Sequence, residues 1–216
     1  MFCDTGQIRK KVTRRKDSSS SLILIHMEDL SLVERAKLYN STFPKFPPLR
    51  TDERWLDGIW VMGNNYRGSG YYGSYPPQYL RRLLALFPDA DRILHLFSGS
   101  LPAGEYVRFD AKGGDVTGNA EQLSAYFQEP FDLILADPPY SAEDANHYGL
   151  PMVNRNKVLK ECGRVLQVGG YLVWLDQVLP MFRKDRLHLC GLIGIVRSTN
   201  HRFRVASIFK KITHRA

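Results

Sequence analysis

Short apolar runs, separated by polar and glycine-rich segments, recur along the second half of the chain. The run Phe131–Ala136 is almost continuously apolar and ends at turn residues, which is typical of a strand buried on both faces of a parallel sheet. Apolar residues at helical spacing predict helices at 121–127 and 153–166. Further apolar runs predict strands at 92–97, 105–110, 115–120 and 171–175. This alternation predicts an α/β fold with a mainly parallel sheet.

The beginning of the chain has a different pattern. Residues 1–26 combine two basic blocks with a serine run, a composition that predicts a disordered tail. This tail is either an arm for nucleic acid or translated sequence upstream of Met27. Ser31 and Glu34 have the spacing of a capping box, which predicts a helix that runs to about Tyr39.

Residues 44–58 are rich in proline and predict an irregular wrap around the core. Residues 57–77 interleave tyrosines and glycines, which offer either stacking surfaces for a ligand or a glycine-rich loop with packed rings. A helix is predicted at 78–87, with an inward leucine stripe and outward Arg81 and Arg82. The stripe comprises Leu80, Leu83, Leu84 and Leu86.

The last part of the chain predicts an antiparallel hairpin, formed by 190–196 and 203–210 around the turn at 199–201. Basic and polar side chains surround this turn and the start of the helix at 153–166. They form either a solvated face or a surface that binds nucleic acid. The candidates are Asn154, Arg155, Arg197, His201, Arg202 and Arg204.

Composition narrows the class of protein. The chain has 216 residues, of which 44% are hydrophobic, enough for one core. No apolar run is long enough to span a membrane, and we expect a cytoplasmic protein. Three widely spaced cysteines and six histidines show no disulfide or metal spacing. The net charge of +8 indicates either a polyanionic partner or merely a basic enzyme.

The strand at 131–136 ends at Asp137-Pro138-Pro139-Tyr140. One interpretation is an ordinary turn with a surface carboxylate. The other is chemical, because an exocyclic amino group of a base is a poor nucleophile unless acceptors bind its two N–H bonds. The Asp137 carboxylate and the Pro138 carbonyl could be those acceptors, and the Tyr140 ring could stack on a flipped base. This tetrapeptide resembles the catalytic motif of the S-adenosylmethionine-dependent amino-methyltransferases.

The resemblance implies where the cofactor binds. The loop after the first strand corresponds to the family's glycine loop, with Leu101 in place of its second glycine, and Asp110 corresponds to the acid that binds the ribose. The segment 98–104 is too short for the usual crossover helix, so this helix is expected to be missing. The implied cofactor residues are Phe97, Ser98, Gly99, Asp110, Asn119, Ala120 and Asp137.

We therefore expect a Rossmann-like class I methyltransferase sheet, mainly parallel, with an antiparallel C-terminal hairpin and helices on both faces. One domain would cover 27–216, with an N-terminal wrap and helix at 27–88 and the core at 89–216. The resemblance implies methyl transfer without metal, with Asp137, Pro138, Pro139 and Tyr140 as catalytic residues.

The resemblance links an Asp at the first motif position mainly with adenine, and the basic surface favours a nucleic acid, so we expect adenine in DNA rather than cytosine. Three alternatives remain: an RNA or other amino-methyltransferase, a catalytically silent subunit that binds nucleic acid, and a nicotinamide oxidoreductase. The last is disfavoured because no Gly-x-Gly-x-x-Gly follows the first strand. Since no target-recognition domain is recognisable, a separate specificity partner is also considered.

Overall fold

The computed structural model describes residues 30–63, 75–197 and 203–212. The predicted basic tail lies outside these ranges, as do most tyrosines of the aromatic-glycine segment and the nucleic-acid-binding candidates His201 and Arg202.

The chain alternates strands and helices as its pattern predicts. The helices are α1 (Leu32–Thr42), α2 (Tyr79–Leu86), α3 (Ala142–His147), α4 (Arg155–Val165) and a 3₁₀ helix at Ala120–Ala125. The strands are β1 (Arg50–Thr51), β2 (Leu56–Met62), β3 (Ile93–Leu96), β4 (Val107–Asp110), β5 (Val116–Thr117), β6 (Phe131–Ala136), β7 (Leu166–Asp176), β8 (Leu187–Arg197) and β9 (Phe203–Lys211). The capping box of α1 is confirmed, with Ser31 and Glu34 bonded reciprocally.

The nine strands of the described ranges form one sheet in the order β1-β2-β8-β9-β7-β6-β3-β4-β5. Strands β7, β6, β3, β4 and β5 are parallel to one another. Strand β9 is antiparallel to both β7 and β8 and lies between them. The predicted fold class, a mainly parallel sheet closed by an antiparallel hairpin, is confirmed.

Helices cover both faces of the sheet, as predicted. Successive residues of β6 point to opposite sides because side chains alternate along a strand. Leu133 and Leu135 join the core beneath α1 and α2. Ile134 and Ala136 join a second core beneath α4 and the 3₁₀ helix. The sheet is therefore the middle of three layers, with helices packed on both of its faces.

The prediction of an irregular wrap at 44–58 is partly wrong, because β2 begins at Leu56 and pairs in parallel with β8. Trp60 and Met62 face the core, whereas Ile59 and Val61 are 55% and 54% exposed. This alternation is a strand signal. The neighbouring glycines and prolines obscured it, and the partner strand lies some 130 residues along the chain.

The prediction that Arg82 faces outward is wrong. Arg82 is buried, and its Nε donates to the Tyr39 hydroxyl at 2.7 Å. Its guanidinium carbon lies 4.5 Å from the ring centroids of both Trp60 and Phe46. The buried stripe of α2 starts at Tyr79 rather than Leu80, which places position 82 inward and leaves Leu84 exposed.

The crossover from β3 to β4 has no helix, as predicted. Two side chains hold the loop that replaces it. The Tyr106 hydroxyl donates to the Pro102 carbonyl at 2.6 Å, and Arg108 Nη1 donates to the Leu101 carbonyl at 2.9 Å. The Tyr106 ring packs 4.5 Å from the His95 ring, between their centroids, and so covers part of the sheet face that a helix would cover.

Candidate active site

The Asp137–Tyr140 turn and the loop after β3 are neighbours at the carboxyl edge of the sheet. Ala136 is paired with Leu96, the last residue of β3, and the Asp137 N–H points to the Leu96 carbonyl at 3.4 Å. The two prolines end β6 at this edge because they cannot donate to a central ladder. The carboxyl ends of parallel strands are where open α/β sheets bind ligands.

The loop after β3 is held by Asp110, the last residue of β4. Asp110 Oδ2 accepts from the Gly99 N–H at 2.9 Å, and Oδ1 accepts from the Lys112 N–H at 3.0 Å. Phe97 and Gly99 adopt positive φ angles of 63° and 50°. For Phe97 this is an uncommon conformation that costs energy, and such strain concentrates at ligand sites.

Three features of this loop suit a nucleoside-bearing cofactor. The Ser98 hydroxyl is buried and has no hydrogen-bond partner among the described residues. A Cβ built on Gly99 would meet no atom within 4 Å, so the space above the backbone is open. The Asp110 carboxylate is half-buried and retains lone pairs for hydroxyl groups, since each oxygen accepts one backbone bond. The residues present therefore fit S-adenosylmethionine.

Asn119 and Ala120 lie on the far side of the same edge. The Gly118 N–H donates to the Asp110 carbonyl at 2.9 Å, which ties the end of β5 to the end of β4. Asn119 caps the 3₁₀ helix, because its Oδ1 accepts from the Glu121 N–H at 2.9 Å. The structure thus brings the predicted cofactor residues together at the ends of four adjacent strands, β5, β4, β3 and β6.

Asp137 is half-buried, and the Tyr140 hydroxyl donates a hydrogen bond to its Oδ1. Burial raises the pKa of Asp137 from 3.8 to about 7, and the nearby carboxylates Asp176 and Asp144 add to this rise. The bond from Tyr140 and the positive charge of Arg204 oppose it. A carboxyl group whose pKa lies near neutrality can accept or release a proton under ordinary conditions.

The basic residues predicted to bind nucleic acid separate into two sets. Arg204 is 8% exposed and lies over the Tyr140 ring. Arg155 is bonded to Asp176 and to the Tyr140 carbonyl. Arg197 ends β8 and is half-buried, and Asn154 is the N-cap of α4. Two of the four described residues thus point into the site rather than onto a surface.

Two functional candidates were missed by the sequence reasoning. Asp176, the last residue of β7, is fully buried beside the turn. The available signal was an acid directly after an apolar strand, the signal that identified Asp110. Lys112 was also missed, and its Nζ donates to the Tyr148 carbonyl at 2.7 Å, so it links the loops that follow β4 and α3. No sequence signal predicts this bond, because its partner is a backbone group 36 residues away.

Within the described ranges, no three His, Cys, Asp or Glu side chains converge in a way that could hold a metal ion. None of the helices in these ranges combines the length and apolar content that crossing a bilayer requires.

Neither a protein-family model nor a curated protein matches the chain. Solved structures resemble the chain at low identity. TrmN from Thermus thermophilus has a TM-score of 0.46 and 17% identity, over 65% of this chain and 50% of TrmN. An rRNA methylase from Streptococcus thermophilus has a TM-score of 0.39 and 10% identity, over 58% of this chain and 89% of that one.

The O-methyltransferase TomG from Streptomyces achromogenes, solved with S-adenosylmethionine, has a TM-score of 0.39 and 16% identity, over 88% of this chain and 93% of TomG. This chain spans half the length of TrmN. The assignment of fold depends on the strand order itself, in which β9 is inserted antiparallel between β7 and β8. The chain has a Rossmann-like sheet, mainly parallel and closed by an antiparallel hairpin.

Proposed function

We propose that the protein transfers a methyl group from S-adenosylmethionine to the exocyclic amino nitrogen of a nucleic-acid base, with adenine in DNA as the favoured substrate. The observation that carries this proposal is the position of Asp137. Its carboxylate stands at the carboxyl end of β6, directly beside the loop that Asp110 holds, and Tyr140 fixes one of its oxygens.

Phe97, Ser98, Gly99, Asp110, Asn119, Ala120 and Asp137 would hold the cofactor. When bound, S-adenosylmethionine supplies an electrophilic methyl group on its sulfonium. Asp110 and Ser98 offer acceptors for its hydroxyl groups, and the open space over Gly99 lets it approach the backbone. Much of the acceleration would come from positioning two bound reactants.

The chain's own residues would prepare the amino group. Oδ1 of Asp137 accepts the Tyr140 hydroxyl, which leaves Oδ2 for one N–H of the amino group. The Pro138 carbonyl accepts the second N–H, and Pro139 keeps the turn rigid. Because the pKa of Asp137 lies at about 7, its carboxylate can also take the proton that the amino nitrogen loses.

A net charge of +8 favours a nucleic acid over a small molecule as the carrier of the base. We assign phosphate contacts to Arg197, His201 and Arg202, because Arg155 and Arg204 are occupied inside the site. Asn154 is the N-cap of α4, and its side chain is exposed, so we assign it at most a peripheral contact with phosphate.

The test uses the full chain, methyl-labelled S-adenosylmethionine, and DNA or RNA, followed by nucleoside analysis of the product. We expect label in the amino group of adenine in DNA, and at least about a hundredfold loss of this rate in Asp137→Ala. Label in RNA would make RNA the substrate in place of DNA and would leave the proposed reaction unchanged. Cofactor binding without label would identify a silent subunit, and the absence of cofactor binding would overturn the proposal.

A further inference from the structure

A partly buried ion pair lies behind the Asp137–Tyr140 turn. Arg155 Nε donates to Asp176 Oδ2 at 2.7 Å, and Arg155 Nη2 donates to Asp176 Oδ1 at 3.3 Å. The same Nη2 donates to the Tyr140 carbonyl at 2.8 Å. Arg155 is the first residue of α4 and Asp176 the last residue of β7, so one guanidinium connects a helix, a strand end and the turn.

Asp176 is built to hold this arginine. It is fully buried, and its oxygens also accept from Trp174 Nε1 at 3.1 Å and from the Gln177 N–H at 2.7 Å. A buried carboxylate with this many donors has a fixed orientation, because each bond restrains the side chain. The fork of Arg155 is therefore fixed as well, and Nη2 is held so that it also donates to the Tyr140 carbonyl of the turn.

We propose that Arg155 and Asp176 are positioning residues, and that they clamp the backbone at Tyr140 so that Asp137 and Pro138 face the amino group. The inference rests on the proposed function, and it assigns to Arg155 a role different from contact with phosphate. A planar fork can bind a carboxylate and a carbonyl together, whereas an ammonium group on a flexible stem cannot reproduce this geometry.

The decisive variant is Arg155→Lys, which keeps the positive charge and removes the fork. A matched control is Arg183→Lys, because Arg183 pairs with Asp185 on the surface, where their side chains are 63% and 50% exposed. Asp176→Asn, which keeps the shape of the anchor and removes its charge, serves as an independent second variant.

Hydrogen–deuterium exchange in the free protein gives a readout that needs no activity. The clamp predicts that backbone amides of 140–148 exchange at least about tenfold faster in Arg155→Lys and in Asp176→Asn than in the parent, and that the control is unchanged. Unchanged exchange in both variants would overturn the clamp, whether or not the parent transfers methyl groups.

Kinetics separate this inference from the proposed function. With an active parent, we expect kcat to fall at least about tenfold in Arg155→Lys, while the Kd of S-adenosylmethionine and the salt dependence of DNA binding stay at parent values. If Arg155→Lys keeps the parent kcat, the clamp is wrong although the function stands. If instead Arg155→Met lowers the salt slope and Arg155→Lys restores it, Arg155 contacts phosphate.

Discussion

The guanidinium carbon of Arg204 lies 4.8 Å from the centroid of the Tyr140 ring. Arg204 comes from β9, so the C-terminal hairpin reaches into the site formed by the parallel half of the sheet. A cation over one face of an aromatic ring is attracted by the ring's electrons. If Tyr140 holds a target base as proposed, we expect the base to stack on the face of the ring opposite Arg204.

Replacing Arg204 by Met should shift the pH dependence of methyl transfer. The positive charge of Arg204 lowers the pKa of Asp137, so its removal raises that pKa further above 7. The pH at which the single-turnover rate is half-maximal should rise by roughly 0.5–1 unit. Arg183→Met, at an exposed position on the surface, is the control, and an equal midpoint in Arg204→Met and parent would contradict this electrostatic coupling.

Two variants of Tyr140 should separate its hydroxyl from its ring. The hydrogen bond from the Tyr140 hydroxyl lowers the pKa of Asp137, so its loss in Tyr140→Phe should raise that pKa. The methyl-transfer rate should then reach its maximum at a higher pH, while capture of the base is kept. Tyr140→Ala also loses stacking and should weaken base capture by about 1–3 kcal/mol. The measurement is single-turnover transfer against substrate concentration at several pH values. Equal KM values for the two variants would refute stacking.

Asp137 should make the folded protein less stable at neutral and alkaline pH. Its folded-state pKa of about 7 exceeds the ordinary value of 3.8, so the folded protein holds a proton that the unfolded chain releases. The stabilisation that this bound proton gives the folded state is fully present below about pH 4 and is lost as the pH rises to about 7. Asp137→Asn should raise the free energy of unfolding at pH 8 by about 1–3 kcal/mol, and by less at pH 4. Urea unfolding of parent and variant at pH 8 and at pH 4 measures this difference. An equal gain in the free energy of unfolding at both pH values would contradict the prediction.

His95 should have the opposite effect. It is buried beside the Tyr75 and Tyr106 rings, and burial lowers its pKa from 6.5 to about 4. As the pH falls, His95 is therefore protonated in the unfolded chain before it is protonated in the folded protein. The folded state loses stability between about pH 6.5 and about pH 4. His95→Phe should lose less stability over this interval, by about 2–3 kcal/mol. If the free energy of unfolding falls with pH equally in parent and His95→Phe, His95 is not the cause of the acid loss of stability.

Asp110→Ala should weaken binding of S-adenosylmethionine by roughly 1–3 kcal/mol. The change would remove the proposed acceptor for the ribose, and it frees the Gly99 N–H that the carboxylate holds at 2.9 Å. Calorimetric titration measures the effect, with Asp185→Ala as a surface control. Unchanged affinity in Asp110→Ala would remove this residue from the site.

The sequence predicted the features that depend on neighbours in the chain. The apolar run before Asp137 and the prolines after it determine where β6 ends, and Asp110 follows its own strand in the same way. Arg82, Arg155 and Arg204 could not be placed, because arginine is ordinarily exposed and their partners lie on distant elements. Arg82 is buried because Tyr39 of α1 supplies a hydroxyl, and Phe46 and Trp60 supply two aromatic rings around it.

The crossover without a helix has an electrostatic consequence. A helix that begins after the first strand would place a partial positive charge at the ligand, which suits the phosphates of a dinucleotide. S-adenosylmethionine has no phosphate and carries a positive sulfonium, so it gains nothing from such a dipole. In place of such a helix, the Tyr106 and Arg108 side chains hold the 97–106 loop, and the charge of Arg108 is paired with Asp115 at 2.7 Å. If this loop binds the cofactor as proposed, we expect it to prefer S-adenosylmethionine to nicotinamide dinucleotides.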